Sequence, residues 1–205
     1  MRNPRPWRIL ERSVAYKHPL FTIAELRVAP EQADAGQGDG TLERKVAQIE
    51  SNDWVNVVAL DESEPHPRLV LIRQWRFGCQ EQTLEIPGGL VDDGEAPIDA
   101  GRRELLEETG YACGRLDPLG VIQPNPALFN NRCHLYLARD LEYVGPPVGD
   151  GDEEIEVLLR PLSELPDALA QGEIQHALVI AALHFFELWR SQSVEPHSNA
   201  DSAGR

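Results

Sequence analysis

The segment that most constrains this chain runs from Gly89 to Tyr111 and reads GLVDDGEAPIDAGRRELLEETGY. Its second half places Glu104, Glu107 and Glu108 at positions i, i+3 and i+4. On a helix such side chains lie about 5–6 Å apart, and like charges at that spacing are unfavourable by a few tenths of a kcal/mol per pair. A divalent cation reverses that sign, since Mg²⁺ binds one or two carboxylates and completes its octahedron with water and substrate phosphate. The segment therefore predicts a helix that carries a metal for phosphate chemistry.

The ends of this helix are marked in the sequence. Pro97 is expected in the first turn, because its fixed φ and missing N–H suit that position. Gly110 is expected to end the helix in the left-handed conformation. The alternative interpretation is an acidic helix whose carboxylates are merely solvated.

The same segment resembles the signature of the Nudix hydrolases, which is G, five residues, E, seven residues, then R-E-U-x-E-E-x-G-U with U apolar. The positions that fall in register are Gly89, Glu95, Arg103, Glu104, Leu105, Glu107, Glu108 and Gly110. Tyr111 departs at the last apolar place, where an aliphatic residue is usual. The resemblance implies an α/β fold, namely an α/β/α sandwich around a mixed sheet, here with a small N-terminal β-rich segment.

The resemblance also implies the metal site. Nudix proteins cleave a nucleoside diphosphate linked to another moiety, with water attacking a P–O bond of the pyrophosphate. Glu104 and Glu108, one turn apart, would bind Mg²⁺ (with Mn²⁺ as a substitute) together with the backbone carbonyl of Gly88. Glu107 would hold an additional ion or a bound water, and Arg103 would orient a glutamate. Glu95 would tie the loop to the helix, with a charge that complements the helix dipole as the alternative.

The general base is the least determined residue. In the relatives that hydrolyse ADP-ribose it comes from an acidic loop downstream of the signature, and here that loop is GDGDEEIE, residues 149 to 156. The candidates are Asp150, Asp152, Glu153 and Glu154. We choose Glu153, which stands just before a strand expected at 155–159; a solvated charge run is the alternative for each member.

Three features resemble the branch that hydrolyses ADP-ribose and other nucleoside diphosphate sugars. Glu85 precedes the glycines, Pro126 stands fifteen residues after the signature, and Arg76 resembles an arginine that contacts substrate phosphate. Arg76 and Glu85 are the residues predicted to bind substrate. A guanidinium suits that contact because it binds oxyanions in a bidentate way. The predicted partner is thus a nucleotide substrate. Two alternatives stay open: another Nudix substrate (NADH, a dinucleoside polyphosphate or a coenzyme A derivative), or a non-catalytic nucleotide-binding regulator.

Composition restricts the partners further. The chain has 205 residues and a formal charge of −15, so nucleic acid and anionic membranes are not expected to bind it. Cys79, Cys113 and Cys133 show no C-x-x-C spacing. We expect all three to be small buried residues in a reducing, cytoplasmic compartment.

Apolar runs divide the chain into an N-terminal β-rich segment over residues 1–52, a Nudix domain over 53–191 and a disordered tail over 192–205. The N-terminal β-rich segment suggests a homodimer, and so does the resemblance to Nudix proteins, which are often dimers. Strands are expected at 54–60, 68–75, 84–87, 119–123, 134–138 and 155–159, and closing helices at 162–171 and 174–190.

Overall fold

The computed structural model describes residues 5–31, 42–149 and 154–193. The chain divides into two compact units. The larger unit comprises Asp53–Ile122 with Cys133–Arg205, and the smaller comprises Met1–Asn52 with Gln123–Arg132.

The smaller unit contains a three-stranded antiparallel sheet. Its strands are β1 (Trp7–Lys17), β2 (Thr22–Pro30) and β3 (Arg44–Glu50), in the order β1-β2-β3. Ala24, Leu26 and Val28 of the central strand are buried, which is the period-2 alternation expected of a sheet with one covered face. A bridge between Ile49 and Phe129 joins the second segment of this unit to β3.

The larger unit is built on a seven-stranded sheet. Its strands are β4 (Trp54–Asp61), β5 (Arg68–Arg76), β6 (Glu81–Glu85), β7 (Gly88–Leu90), β8 (Tyr111–Ile122), β9 (Cys133–Tyr143) and β10 (Glu156–Pro161). The main order is β10-β5-β4-β9-β8, with β6 paired to β5 and β7 to β4. The sheet is mixed because β4 and β9 are parallel, whereas the other pairs are antiparallel.

Helices pack on this sheet over two separate apolar cores. Helix α1 (Pro97–Thr109) buries Ala100 and Leu105 in a cluster with the odd-numbered valines of β4. A short 3₁₀ turn (Leu162–Glu164) leads into α2 (Leu165–Ala170), and α3 (Ala177–Ser193) follows. Leu183 and Phe186 of α3 lie in the second cluster, with Leu71 of β5. The α/β fold with a mixed sheet predicted from the sequence is confirmed.

One strand is much longer than predicted. The sequence placed it at 119–123, but β8 begins at Tyr111 and pairs with β9 along its whole length. Gly114 and Pro118 are residue types that weaken a strand pattern. Pro118 is accommodated because β8 lies at the edge of the sheet, next to a register shift between Pro118 and Gly120.

The disordered tail predicted over 192–205 falls mostly outside the described residues. Residues 192 and 193 belong to the end of α3. Within the described ranges, no helix has the length and apolar character needed to cross a bilayer.

Candidate metal and substrate site

The glutamate-bearing helix begins and ends where the sequence predicted. Pro97 opens α1 and Gly110 follows its last residue. Gly110 has φ 73° and donates its N–H to the Leu106 carbonyl oxygen at 2.8 Å. Glu104 and Glu108, one turn apart on α1, are both buried, as is Leu105 between them.

Glu104 and Glu108 are buried acidic side chains, 8% and 7% exposed. The backbone N–H of Gly88 donates to Glu108 Oε2 at 2.8 Å. The carboxylate of Glu108 is thereby held against the strand that precedes the helix. Two carboxylates in an environment with little water carry a free-energy cost that a bound cation would offset.

The glycine pair opposite α1 leaves room for these carboxylates. A Cβ at Gly89 would lie 2.5 Å from Glu104 Oε1 and 2.8 Å from Oε2. A Cβ at Gly88 would overlap the carbonyl oxygen of Val55 on β4. Only glycine therefore lets β7 approach both the helix carboxylates and β4 so closely.

Arg103 organises the acidic cluster. Its Nε and Nη2 donate to the two oxygens of Glu95, at 3.0 and 2.9 Å, and Nη2 also donates to the Leu90 carbonyl oxygen at 2.9 Å. Its Nη1 donates to Glu104 Oε1 at 2.8 Å and to Glu107 Oε2 at 3.1 Å. The hydrogen bond with Glu95 contributes most to raising the pKa of Arg103, while partial burial acts in the opposite direction.

The hydrogen bonds with Arg103 have an effect on Glu95 as well, because they hold the pKa of that carboxyl below its usual range. Glu95 Oε2 also accepts the backbone N–H of Asp92 at 3.0 Å. The predicted roles of Arg103, orienting a glutamate, and of Glu95, tying the loop to the helix, both match these contacts.

The donor set fits a hard divalent cation. Among the described residues, no group of three or more His, Cys, Asp or Glu side chains is arranged to hold a metal ion. Mg²⁺ does not need one, because it keeps several waters and takes only one or two protein carboxylates. Glu104 and Glu108 beside the Gly88–Gly89 backbone would supply those ligands, and Glu107, at the more exposed edge of the cluster, would bind a further ion or water.

A cavity of about 770 Å³ opens beside this cluster. Gly88 and Gly89 form part of its wall. Its other lining residues are Trp54, Val55, Asn56, Gln74, Trp75, Arg76, Phe77, Gly78, Cys79, Thr83, Glu85, Leu90, Glu154, His176 and Leu178. A volume of this size accommodates a nucleotide-sized ligand.

Arg76 and Glu85, both predicted to bind substrate, form a bidentate pair in this wall. Arg76 Nε and Nη2 donate to the two carboxylate oxygens of Glu85 at 2.8 and 2.7 Å. Thr83 Oγ1 donates to Glu85 Oε1 at 2.6 Å. Burial alone would raise the pKa of Glu85, but the hydrogen bonds from Arg76 and Thr83 outweigh it and lower that pKa.

The comparisons with known proteins agree with this geometry. A model of the NUDIX domain matches residues 52–183. The chain belongs to the NUDIX domain family. Proteins of this family generally use a divalent metal ion.

Two curated relatives carry more specific names. The chain is 31% identical over 121 residues to "ADP compounds hydrolase NudE" of Escherichia coli (strain K12), covering 59% of this chain and 64% of that protein. It is 27% identical over 180 residues to "ADP-ribose pyrophosphatase" of Bacillus subtilis (strain 168), covering 87% and 94%. The match thus spans just under two thirds of the Escherichia coli relative.

A solved structure shows the same fold. The crystal structure of an ADP compounds hydrolase aligns with a TM-score of 0.79 at 23% identity, covering 95% of this chain and 99% of that one. The Nudix fold predicted from the signature is therefore confirmed.

The acidic loop is only partly described. Glu153, the residue chosen as general base, lies outside the described residues, as do Asp150 and Asp152. Glu154 is exposed and lines the cavity. The end of the loop therefore reaches the same cavity as the Nudix glycines.

Several lining residues were missed by sequence reasoning. No histidine was assigned a function from the sequence, yet His176 lines the cavity, as does Gln74. Neither stands in a motif, and the two residues line one cavity only in the folded chain. Cys79 was expected to be buried but is exposed on the cavity wall, because it lies in the turn between β5 and β6. Cys133 is buried as predicted.

Proposed function

We propose that this Nudix protein hydrolyses the pyrophosphate bond of ADP-ribose or another nucleoside diphosphate sugar, giving a nucleoside monophosphate and a sugar phosphate. The observation that carries the proposal is the buried pair Glu104 and Glu108 directly behind the Gly88–Gly89 wall of a nucleotide-sized cavity. The names of the Escherichia coli and Bacillus subtilis relatives support this class of substrate.

Glu104, Glu108 and the Gly88 carbonyl would hold Mg²⁺, or Mn²⁺ in its place. When bound, such a cation neutralises charge on the pyrophosphate oxygens and lowers the pKa of water. The protein contributes the positioning: Gly88 N–H and Arg103 hold the carboxylates at fixed places, so little reorganisation is required when the substrate binds.

We assign the general base to Glu153, with Glu107 as the second acidic residue of the reaction. The base would take a proton from the attacking water, whose oxygen bonds to phosphorus as the bridging P–O bond breaks. Glu154 is the alternative base, supported by its place on the cavity wall. Measuring kcat for Glu153→Gln and Glu154→Gln distinguishes the two candidates. Only the variant that lacks the general base should lose about a hundredfold or more in kcat.

Arg76 and Glu85 are proposed to bind the substrate. Two hydrogen bonds to Glu85 hold the guanidinium of Arg76 in one orientation, and its side chain is still 40% exposed beside the cavity. A guanidinium fixed in this way loses little further side-chain entropy when it binds a phosphate oxygen.

We further propose a homodimer formed through the N-terminal segment, residues 1–52, with residues 53–191 as the Nudix domain. Ile9, Val14 and Tyr16 of β1 are more than half exposed. In the described part of the chain β1 pairs only with β2, so its other edge is available to a second copy. The cysteine pattern supports a cytoplasmic location. Sedimentation of the purified protein tests the dimer.

The function is tested by incubating the protein with Mg²⁺ and ADP-ribose, ADP-glucose, GDP-mannose, UDP-glucose, NADH or a diadenosine polyphosphate. AMP plus ribose 5-phosphate from ADP-ribose is the expected result. Preference for NADH or the polyphosphate would contradict the substrate class and retain the mechanism. No turnover of any substrate, with Mg²⁺ binding intact, would favour a nucleotide-binding regulator.

A further inference from the structure

The segment that leads into the acidic loop lies against the end of the glutamate-bearing helix. It comprises residues 144–149, reads VGPPVG and follows β9. The backbone N–H of Val144 donates to the Gly110 carbonyl oxygen at 2.9 Å. A Cβ at Gly110 would lie 1.8 Å from the Gly145 carbonyl oxygen, so only glycine permits this approach. The first half of the segment therefore rests on the residue that ends α1.

The second half of the segment is bound to Glu107, whose side chain belongs to the acidic cluster. The N–H groups of Val148 and Gly149 donate to the Glu107 carbonyl oxygen at 3.0 and 3.1 Å. Inside a longer helix that oxygen would accept the N–H of Tyr111, which here donates to Thr109 Oγ1 at 3.2 Å. The two N–H groups of the segment thus satisfy a carbonyl that the end of the helix exposes.

The backbone of Gly149 sets the direction in which the chain leaves this attachment. Its φ is 58°, in the left-handed region that glycine adopts without strain and that other residues rarely adopt. The acidic loop, residues 149–156, begins at this residue. A change of φ at Gly149 would therefore redirect the acidic loop while leaving α1 in place.

Apolar packing contributes little to holding the segment. The side chains of Val144 and Val148 are 55% and 81% exposed, and Pro146 and Pro147 are exposed as well. The two prolines have fixed φ values and restrict the conformations of the segment. A stiff segment that is hydrogen-bonded to a helix end, and that adds little to a core, is suited to positioning the residues that follow it.

The far end of the acidic loop is attached to the sheet. Strand β10 begins at Glu156, which pairs with Arg73 of β5. Arg73 Nη1 also donates to Glu156 Oε2 at 2.6 Å. Glu154, two residues earlier, lines the cavity. The loop that carries the proposed base thus starts at α1 and ends beside the cavity.

We propose that Gly149 is a positioning residue, which directs the acidic loop from Glu107 so that the general base reaches the attacking water. This inference rests on the proposed function. Placement of the base matters because an error of about 1 Å can lower a rate about a hundredfold. Arg76, Glu104 and Glu108 lie outside the segment, so substrate and metal affinity should not depend on Gly149.

The test varies how readily position 149 adopts a left-handed backbone. Gly149→Ala disfavours that conformation, whereas Gly149→Asn keeps it accessible, because asparagine tolerates it better than most residues with a side chain. Gly172→Ala is the matched control. Gly172 has φ 74° in the turn between α2 and α3 and does not line the cavity, so alanine there introduces the same kind of backbone strain elsewhere.

With ADP-ribose and Mg²⁺, Gly149→Ala should lower kcat about ten- to a hundredfold. Its KM and its Mg²⁺ concentration for half-maximal activity should stay within about twofold of the wild type. Gly149→Asn should keep kcat within about threefold of the wild type. Gly172→Ala should lower the melting temperature about as much as Gly149→Ala but keep the wild-type kcat. A wild-type kcat in Gly149→Ala, or equal losses in the alanine and asparagine variants, would overturn the inference.

A double variant shows whether Gly149 acts through the base. Gly149→Ala is combined with Glu153→Gln, or with Glu154→Gln if that variant is the one that loses activity. Once the base is absent its position has no further effect, so Gly149→Ala should lower kcat less than about twofold in this background. A loss as large as that in the wild-type background would contradict the positioning role.

Failure of the proposed function would give a different result. A wild-type protein that hydrolysed no nucleoside diphosphate sugar would contradict that function, and this inference with it. An active wild type in which neither Glu153→Gln nor Glu154→Gln lowers kcat would overturn the inference together with the assignment of the base, while the substrate class remained.

Discussion

Buried carboxylates occur in two places around the cavity, and their surroundings differ. On β6, both oxygens of Glu85 accept hydrogen bonds from one arginine, Arg76. On α1, the guanidinium of Arg103 is divided among Glu95, Glu104 and Glu107, and Glu108 accepts a backbone N–H. The contacts described set one guanidinium against one carboxylate at β6, but one guanidinium against three carboxylates at α1. A balanced pair positions a side chain, whereas an excess of buried negative charge favours a cation.

The largest expected effect comes from removing one of the buried negative charges on α1. Glu108→Gln and Glu104→Gln should each lower kcat at least about a hundredfold, because an ionic ligand is lost at constant volume. Both variants should fold, and each should melt at or above the metal-free wild type. Steady-state kinetics and thermal unfolding check this, with Glu142→Gln on the exposed surface of β9 as the control. A Glu108→Gln enzyme within about threefold of wild-type activity would make the metal role of α1 wrong.

The next variant disturbs how the acidic cluster is held. Arg103→Lys keeps the charge but replaces a planar fork by one ammonium, whose three N–H donors cannot reproduce the five bonds that Arg103 makes to Glu95, Glu104, Glu107 and the Leu90 carbonyl oxygen. Metal affinity should fall about 10- to 100-fold, as for other residues that orient metal ligands. Titration with Mg²⁺ measures it. Arg102→Lys on the exposed face of α1 is the control, and an equal loss there would show a general effect on the helix.

A smaller effect is expected from the glycine wall. Gly89→Ala places a Cβ 2.5 Å from Glu104 Oε1, so the carboxylate must shift from its present position. The Mg²⁺ concentration needed for half-maximal activity should rise about tenfold. Gly78→Ala is the matched control in the same wall, since a Cβ there meets nothing within 4 Å. If Gly89→Ala kept the Mg²⁺ dependence of the wild type, the position of Glu104 would have no effect on metal binding.

The ion pair between Arg76 and Glu85 should stabilise the folded protein in a pH-dependent way. The pKa of Glu85 is lowered in the folded protein, so its ionised form contributes stability above the unfolded pKa of about 4.3, and this is lost as pH falls through the folded pKa. Glu85→Gln should therefore cost about 1–2 kcal/mol of unfolding free energy near pH 7 and progressively less toward pH 3. Urea unfolding at several pH values measures this. Glu81→Gln, exposed on the same strand, is the control, and a pH-independent deficit in Glu85→Gln would exclude the ionic contribution.

The two regions also differ in how much the sequence revealed. The α1 cluster lies in one segment, so the spacing of Arg103, Glu104 and Glu108 predicted their proximity, and Pro97 and Gly110 predicted the helix ends. Gln74 and His176 are 102 residues apart in sequence, and they line the same cavity only once the chain has folded. Local spacing carries no information about such contacts. The extent of β8 was missed for a related reason, since Pro118 is tolerated at a sheet edge and the sequence does not show which strand is the edge.

The buried carboxylates of α1 are the proposed ligands of a divalent cation, and direct binding tests this. Mn²⁺ is titrated into the wild type and into the double variant Glu104→Gln/Glu108→Gln, with free Mn²⁺ measured by its electron paramagnetic resonance signal. We predict saturable binding to the wild type that is lost in a folded double variant. Equal Mn²⁺ binding by both proteins would contradict the metal role of these glutamates.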